Sequence, residues 1–217
     1  VGSLSPIPAA AALLARARHG VRVTLLGSRR HNPFTDGGRE LFDAAAQGRI
    51  DVFFLGGVQI DGQANVNLLG LGPYPRLTKR FPGSFGAAYL YFVVPRIILY
   101  REEHSPRTLV ERVDVVSAPG TSPPEVWRPG GPAHLLTGRA LFAFEREAGR
   151  FRLETRAPEE TVASLRAATG FAFDAAPDVP AWAAPDAATE RLLETAVAPA
   201  LAETYPAFAR RTFAAAP

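Results

Sequence analysis

Leu55-Gly56-Gly57-Val58-Gln59-Ile60-Asp61-Gly62-Gln63-Ala64-Asn65-Val66-Asn67 is the stretch whose reading decides the fold. It starts at the end of the apolar run Val52 to Leu55 and breaks at once into paired glycines. A fully apolar strand that stops at glycines suits a parallel sheet covered on both faces. Ligands in open α/β sheets collect outside the carboxyl ends of such strands. Paired glycines let backbone N–H groups approach an oxygen closely, because no Cβ intervenes. Two such groups can form an oxyanion hole for a carbonyl. A plain tight turn, with Asp61 and Asn65 as turn residues, accounts for the same letters.

Outward from this stretch the pattern repeats. Pro8 to Arg18 reads as a helix, with proline near its start, arginines in its last turn and Gly20 as its stop. Val21 to Leu26 is an apolar, β-branched run that predicts a buried strand. Gly27 to Gly38 is a polar loop carrying Asn32-Pro33 and Asp36-Gly37-Gly38. Arg39 to Gln47 is a short helix stopped by Gly48, and Arg96 to Tyr100 is a further apolar strand. Strand, helix and strand in this order predict an open, mainly parallel sheet with flanking helices. Ser117 to Gly131 is a proline- and glycine-rich connection. Ala140 to Phe144 and Phe151 to Thr155 flank the turn Glu147-Ala148-Gly149, which predicts a hairpin. Glu159 to Thr169 is a helix started by Thr161 or Pro158. Asp174 to Asp186 is irregular, and Ala187 to Ala198 is a last helix.

Composition narrows the possibilities. The chain of 217 residues is long enough for one well-buried domain over 1–217. It has no cysteine, which excludes disulfides, thiolate metal sites and a thiol nucleophile. Its charge is +3, carried by scattered arginines beside the single lysine, Lys79. That is too little and too dispersed for nucleic acid. Arginines also suit phosphates and carboxylates. No stretch approaches the roughly 20 apolar residues of a membrane span, and the arginines that follow Ala9 to Ala15 are wrongly placed for a signal peptide. A cytoplasmic protein is the expectation. His19, His31, His104 and His134 show no metal-ligand spacing, so no metal is expected. His31 is a candidate acid–base group, with a solvated loop histidine as the plain alternative.

A second glycine cluster, Phe81-Pro82-Gly83-Ser84-Phe85-Gly86-Ala87-Ala88, offers amides that could form a nest for an oxygen. Taken with Gly56 to Asn67 it resembles the β-type half of family I CoA transferases. There a G-A-x-Q-V-D…G-N-x-N segment precedes a P-G-x-G-G-A segment. Val1-Gly2-Ser3 with Ser5-Pro6 is similar to that family's V-G-x-x-S-P loop. Arg96 to Leu99 leading to Glu103-His104, Val110 to Asp114, Ser117 to Gly120, and Ala168-Thr169-Gly170-Phe171 match its later series in order. The resemblance covers most of Val1 to Asp174. It points to proteins like the β-type half of glutaconate CoA-transferase and to the fold class named NagB/RpiA/CoA-transferase-like, and the alternative is a Rossmann-type domain.

The resemblance implies an α-type partner subunit, a coenzyme A thioester as substrate and no tightly bound cofactor. It implies acyl-CoA contacts from Gly27, Ser28, Gly56, Gly57, Gln59, Gly83, Ser84 and Gly86. A free subunit is expected to form hetero- or homo-oligomers. The family's β-type glutamate attacks the thioester, yet the slot for it here reads Leu26-Gly27-Ser28-Arg29, with no acid. Leu68 to Pro73 resembles the run after that glutamate in the keto-acid branch, but the slot would then be Asn65. Similar decarboxylases place a cysteine in the slot, and this chain has none. Ring-opening hydrolases similar to the family carry the working acid on the α-type subunit, the branch that fits best. Asp36 and Glu40 are the acids nearest in sequence. Three readings stay open: a hydrolase- or lyase-like half, a true transferase with its nucleophile elsewhere, and a noncatalytic acyl-CoA-binding or scaffolding subunit. In this family a strand and a helix usually precede the V-G-x-x-S-P loop, so that part of the sheet is expected to be missing from the chain.

Overall fold

A computed structural model describes residues 1–213. They form, in order, α1 (Pro6–His19), α2 (Gly37–Ala46), β1 (Val52–Gly56), β2 (Gln59–Ile60), β3 (Val66–Asn67), β4 (Gly70–Leu71), β5 (Lys79–Arg80), α3 (Ala87–Val93) and β6 (Arg96–Arg101). There follow β7 (Pro132–Thr137), β8 (Ala140–Glu145), β9 (Arg150–Arg156), α4 (Val162–Ala168), β10 (Asp174–Ala175), α5 (Ala187–Leu192), a π-helical turn Leu193–Val197, α6 (Ala198–Thr204) and α7 (Pro206–Phe213). These residues pack as two compact units. One joins residues 1–37 to the described residues from 183 onward, and the other is residues 38–182.

The second unit is built on a six-stranded sheet in the order β1-β6-β7-β8-β9-β10. The pairs β1–β6, β6–β7 and β9–β10 are parallel, and β7–β8 and β8–β9 are antiparallel. Helices flank it, with α3 packed on β1. This is the α/β architecture read from the sequence. The β8–β9 hairpin also forms, closing with Glu145 opposite Arg150. Strand β7 is new. Its sequence, Pro-Ala-His-Leu-Leu-Thr, has neither β-branched enrichment nor clean alternation, so only its place between β6 and β8 makes it a strand. The sheet's core is aromatic: Phe142 meets Phe151 and Phe173, and Phe151 meets Phe144 and Phe171, with centroids 5.0–6.1 Å apart. Each such pair adds about 0.5–1.5 kcal/mol beyond its buried area.

The first unit is helical. Pro6 at the first position and Gly20 past the last bound α1, and Gly20 has φ +68°, where a side chain would be strained. Ala9 and Leu13 of α1 bury against Leu25, Val197 and Leu201. The predicted strand Val21 to Leu26 is not formed. Residues 21–25 run without a ladder, Val21 is exposed, Val23 packs half-buried against the core, and Leu25 is fully buried in it. A β-branched run has strand propensity, but a strand exists only where a neighbour completes its hydrogen bonds. Here Leu25 N–H goes to His31 O and Leu26 N–H to Val1 O. The C-terminal helix also runs further than its sequence suggested, through the π-helical turn into α6. No helix among the described residues is long and apolar enough to cross a membrane.

Candidate functional site

The glycine turn after β1 stands on a frame of buried polar side chains. Gln59 Oε1 accepts from Asn67 Nδ2 at 2.7 Å and from Asp114 N–H at 3.0 Å. Asn67 Oδ1 accepts from Leu69 N–H and Gly70 N–H, so this one amide turns the chain into β4. Asp61 Oδ1 accepts from Gln63 N–H and Asn65 N–H, and its Oδ2 from Asn65 Nδ2. Asn65 Oδ1 in turn accepts from Gly120 N–H at 3.1 Å. A Cβ on Gly120 would run into Gln63 O, so only glycine lets these backbones meet.

The polar residues between Leu55 and Asn67 therefore fold this segment. Asp61 and Asn65 are turn residues, and Gln59, one of the expected acyl-CoA contacts, spends its side-chain oxygen on the frame. Gly56 and Gly57 stay half-buried at the end of β1, and Val58 N–H is spent on Asn67 O.

The parallel strands β1, β6 and β7 end together. Gly56 pairs with Tyr100, and Arg101 pairs with Thr137. Arg101 leans back over the glycine turn, its Nη1 3.5 Å from Gly57 O. Glu103 Oε1 accepts from Ser105 Oγ and Arg107 Nε, and Oε2 from Arg107 Nη2 at 2.7 Å, and these donors hold its carboxyl below the usual carboxylate range.

His104 is buried between Thr137 Oγ1, 2.8 Å from Nδ1, and Thr169 Oγ1, 2.9 Å from Nε2. Each hydroxyl also reaches a backbone carbonyl, Thr137 Oγ1 that of Ala140 at 3.1 Å and Thr169 Oγ1 that of Leu165 at 2.7 Å, so the ring is held from both sides by anchored threonines. Burial, with Arg139 adding to it, pushes this imidazole down to about 4. It is a neutral structural histidine.

Gly83, Ser84 and Gly86 form the loop before α3 in the same unit. Phe85 between them has φ +44° and is 76% exposed, its ring 5.6 Å from that of Phe42. In the resembling family's pattern this position is glycine, which such a backbone favours.

Leu26, Gly27, Ser28 and Arg29 belong to the first unit, where they form the turn after the unpaired segment 21–25. Ser28 is buried, and its Oγ accepts from Arg30 N–H at 3.1 Å and His31 N–H at 2.8 Å. It donates to Glu203 Oε2 at 2.7 Å, and Arg29 N–H donates to Glu203 Oε1 at 3.0 Å. A carboxylate thus reaches the slot in space, although none stands there in sequence. Nothing local announces Glu203; it arrives because α6 packs beside α1. Thr204 Oγ1 and Ser28 Oγ hold its carboxyl down to about 2.

His31 accepts from Arg16 Nη1 at 3.2 Å through Nδ1. Burial and the two arginines Arg16 and Arg30 lower its pKa, so it is neutral at pH 7. Its ring bonds Arg16 while its backbone N–H goes to Ser28 Oγ, so among the described residues the three do not line up as a Ser–His–acid relay. Among the described residues no cluster of three or more histidines and acids is placed to hold a metal ion.

Comparison with known proteins gives the same direction. Residues 25–121 match the family described as Coenzyme A transferase. The chain is 30% identical over 155 residues to the B-type subunit of glutaconate CoA-transferase from Acidaminococcus fermentans, covering 68% of this chain and 57% of that protein. It is 28% identical over 144 residues to the B-type subunit of 3-oxoadipate CoA-transferase from Pseudomonas knackmussii, covering 64% and 55%. The chain thus spans a little over half the length of these curated relatives.

Among solved structures, the decarboxylase AibA/AibB superimposes with a TM-score of 0.73 at 28% identity, over 89% of this chain and 84% of that one. The glutaconate coenzyme A-transferase of Acidaminococcus fermentans gives 0.75 at 22% identity, over 91% and 87%, a likeness of fold alone. Sequence relatives and fold agree, and this chain is similar to the B-type subunits of coenzyme A transferases, whose family its residues 25–121 match.

Proposed function

We propose that the chain is the β-type half of a two-subunit enzyme that acts on an acyl-CoA thioester by hydrolase- or lyase-like chemistry, without a glutamyl-CoA intermediate. The observation that carries this reading is the turn at residues 26–29. It offers no carboxylate or thiol of its own, and its one hydroxyl, Ser28 Oγ, is buried and committed to Glu203, Arg30 N–H and His31 N–H. A nucleophile must be free to reach its target, and this one is locked in a turn. The matched decarboxylase AibA/AibB is a two-component relative with non-transferase chemistry, which supports both the partner subunit and the departure from transfer. The frame under Gly56 and Gly57 is intact, which favours retained acyl-CoA binding over pure scaffolding.

Glu203 favours one second reading, a transferase whose carboxylate comes from the C-terminal helix. Its oxygens accept from Ser28, Thr204 and Arg29, and these donors stabilise the charged form and make it a poor nucleophile. The test is to co-express the chain with its neighbouring reading frame, incubate the complex with acyl-CoA, and trap with hydroxylamine or borohydride before peptide mapping. Thioester turnover with no label on this chain is the expected result. A label at Glu203 establishes the transferase reading instead, and absence of any acyl-CoA binding removes both.

A further inference from the structure

Arg101 ends β6 beside the glycine turn, and its donors are largely unspent. A guanidinium carries five N–H donors in a fixed fork. Nη1 reaches Gly57 O only at 3.5 Å, and Nη2 reaches Glu103 Oε2 only at 3.3 Å. Nε is buried and has no hydrogen-bond partner among the described residues. The neighbouring Arg107 holds the same Glu103 far better, with Nη2 at 2.7 Å and Nε at 3.1 Å, and Ser105 adds a third donor. Glu103 is therefore already neutralised without Arg101.

An arginine whose Nε is sheltered without a partner is costly in the free chain, since a desolvated donor loses its water and gains nothing. Its two Nη groups, held only by long contacts, are poised, because a planar two-oxygen anion meets both at once. A third of the Arg101 side chain remains open to solvent. Its place is the carboxyl end of adjacent parallel strands, where ligands of such sheets collect.

We propose that Arg101 anchors an anionic oxygen group of the substrate at the Gly56-Gly57 turn. The group is a second carboxylate on the acyl chain or a phosphate of the coenzyme A moiety, and the proposal rests on the acyl-CoA reading above. Arg101 then sets specificity. A thioester bearing the anion completes the fork, and one bearing a methyl group in its place leaves it unpaired.

The experiment uses the full chain with its co-purified partner subunit and measures binding of glutaryl-CoA, pentanoyl-CoA and 3′-dephospho-pentanoyl-CoA by calorimetry. It compares the wild type with Arg101→Gln and Arg101→Lys. If the acyl carboxylate is the ligand, glutaryl-CoA binds the wild type about 10- to 100-fold more tightly than pentanoyl-CoA, and Arg101→Gln erases the difference. Pentanoyl-CoA affinity is then unchanged, which also shows the variant is folded. If the phosphate is the ligand, Arg101→Gln instead weakens both 3′-phosphorylated thioesters to the level of the dephospho form. Arg101→Lys restores charge without the fork and recovers part of either effect. Binding of all three thioesters with no response to Arg101→Gln overturns the Arg101 assignment and leaves the acyl-CoA reading standing. Failure of the wild type to bind any of them overturns both.

Discussion

Ser28 Oγ donates a 2.7 Å hydrogen bond to Oε2 of Glu203, which lies 175 residues further along the chain. The same oxygen accepts the N–H groups of Arg30 and His31, so one buried hydroxyl organises the turn and ties α6 to it. A residue that resemblance places in a catalytic slot is thus the keystone of a local hydrogen-bond network.

Ser28→Ala leaves two backbone N–H groups without their acceptor, and it should cost about 1–3 kcal/mol. Glu203→Gln should be coupled to it: on the Glu203→Gln background, Ser28→Ala costs less than on the wild type. Urea midpoints of the two single variants and the double variant test this, and strict additivity would show the pair to be independent. Glu203 also has a sign in pH. Its carboxyl is held down to about 2, below its ordinary 4.5, so its stabilisation is present above about 4.5 and is lost as pH falls toward 2. That acid limb should be shallower in Glu203→Gln.

His104 gives the opposite end of the same argument. Its folded pKa lies near 4 and its ordinary value is 6.5, so the unfolded chain binds the proton first. The His104 contribution is then complete above about pH 6.5, falls by about 3 kcal/mol as pH drops to 4, and falls no further below that. Denaturant midpoints between pH 7 and 4 should show this slope, and His104→Gln should flatten most of it. A slope that persists unchanged would assign it to His31 or to other groups.

Gly56 and Gly120 should separate binding from packing. A Cβ on Gly120 collides with Gln63 O, whereas one on Gly56 meets nothing closer than Tyr100 O at 3.4 Å. Gly120→Ala should therefore cost about 1–3 kcal/mol through forced displacement of backbone. Gly56→Ala should stay within about 0.5 kcal/mol of the wild type. If Gly56→Ala nonetheless loses acyl-CoA binding with its thermal midpoint intact, glycine is required there by the ligand.

Phe85 tests the loop before α3. With φ at +44°, any side chain carries left-handed strain of about 1–2 kcal/mol that glycine escapes. Phe85→Gly should be more stable than Phe85→Ala by about 1 kcal/mol, since both lose the ring and only one loses the strain. Equal midpoints would contradict the left-handed backbone.

Much of the fold could be read from local chemistry alone. The apolar runs of β1 and β6, the proline and glycine that bound α1, and Thr161 capping α4 against Ser164 are visible in sequence because their causes lie within a few residues. The turn role of Asp61 and Asn65 was legible for the same reason, because Asp61 bonds its own neighbours. Misreadings fell where the cause is remote. Val21 to Leu26 has the residues of a strand but no ladder partner, and β7 lacks them yet has strands on both sides. Glu203 reaches Ser28, and Arg101 reaches the Gly57 carbonyl, because packed elements deliver them there. By itself, then, the sequence determined the local elements and the absence of an acid or thiol at residues 26–29. Only tertiary packing decided which carboxylate meets that turn, which arginine keeps unspent donors, and which polar side chains are consumed in holding the frame. Hydrogen bonds between residues so far apart leave no period or spacing in the chain that makes them.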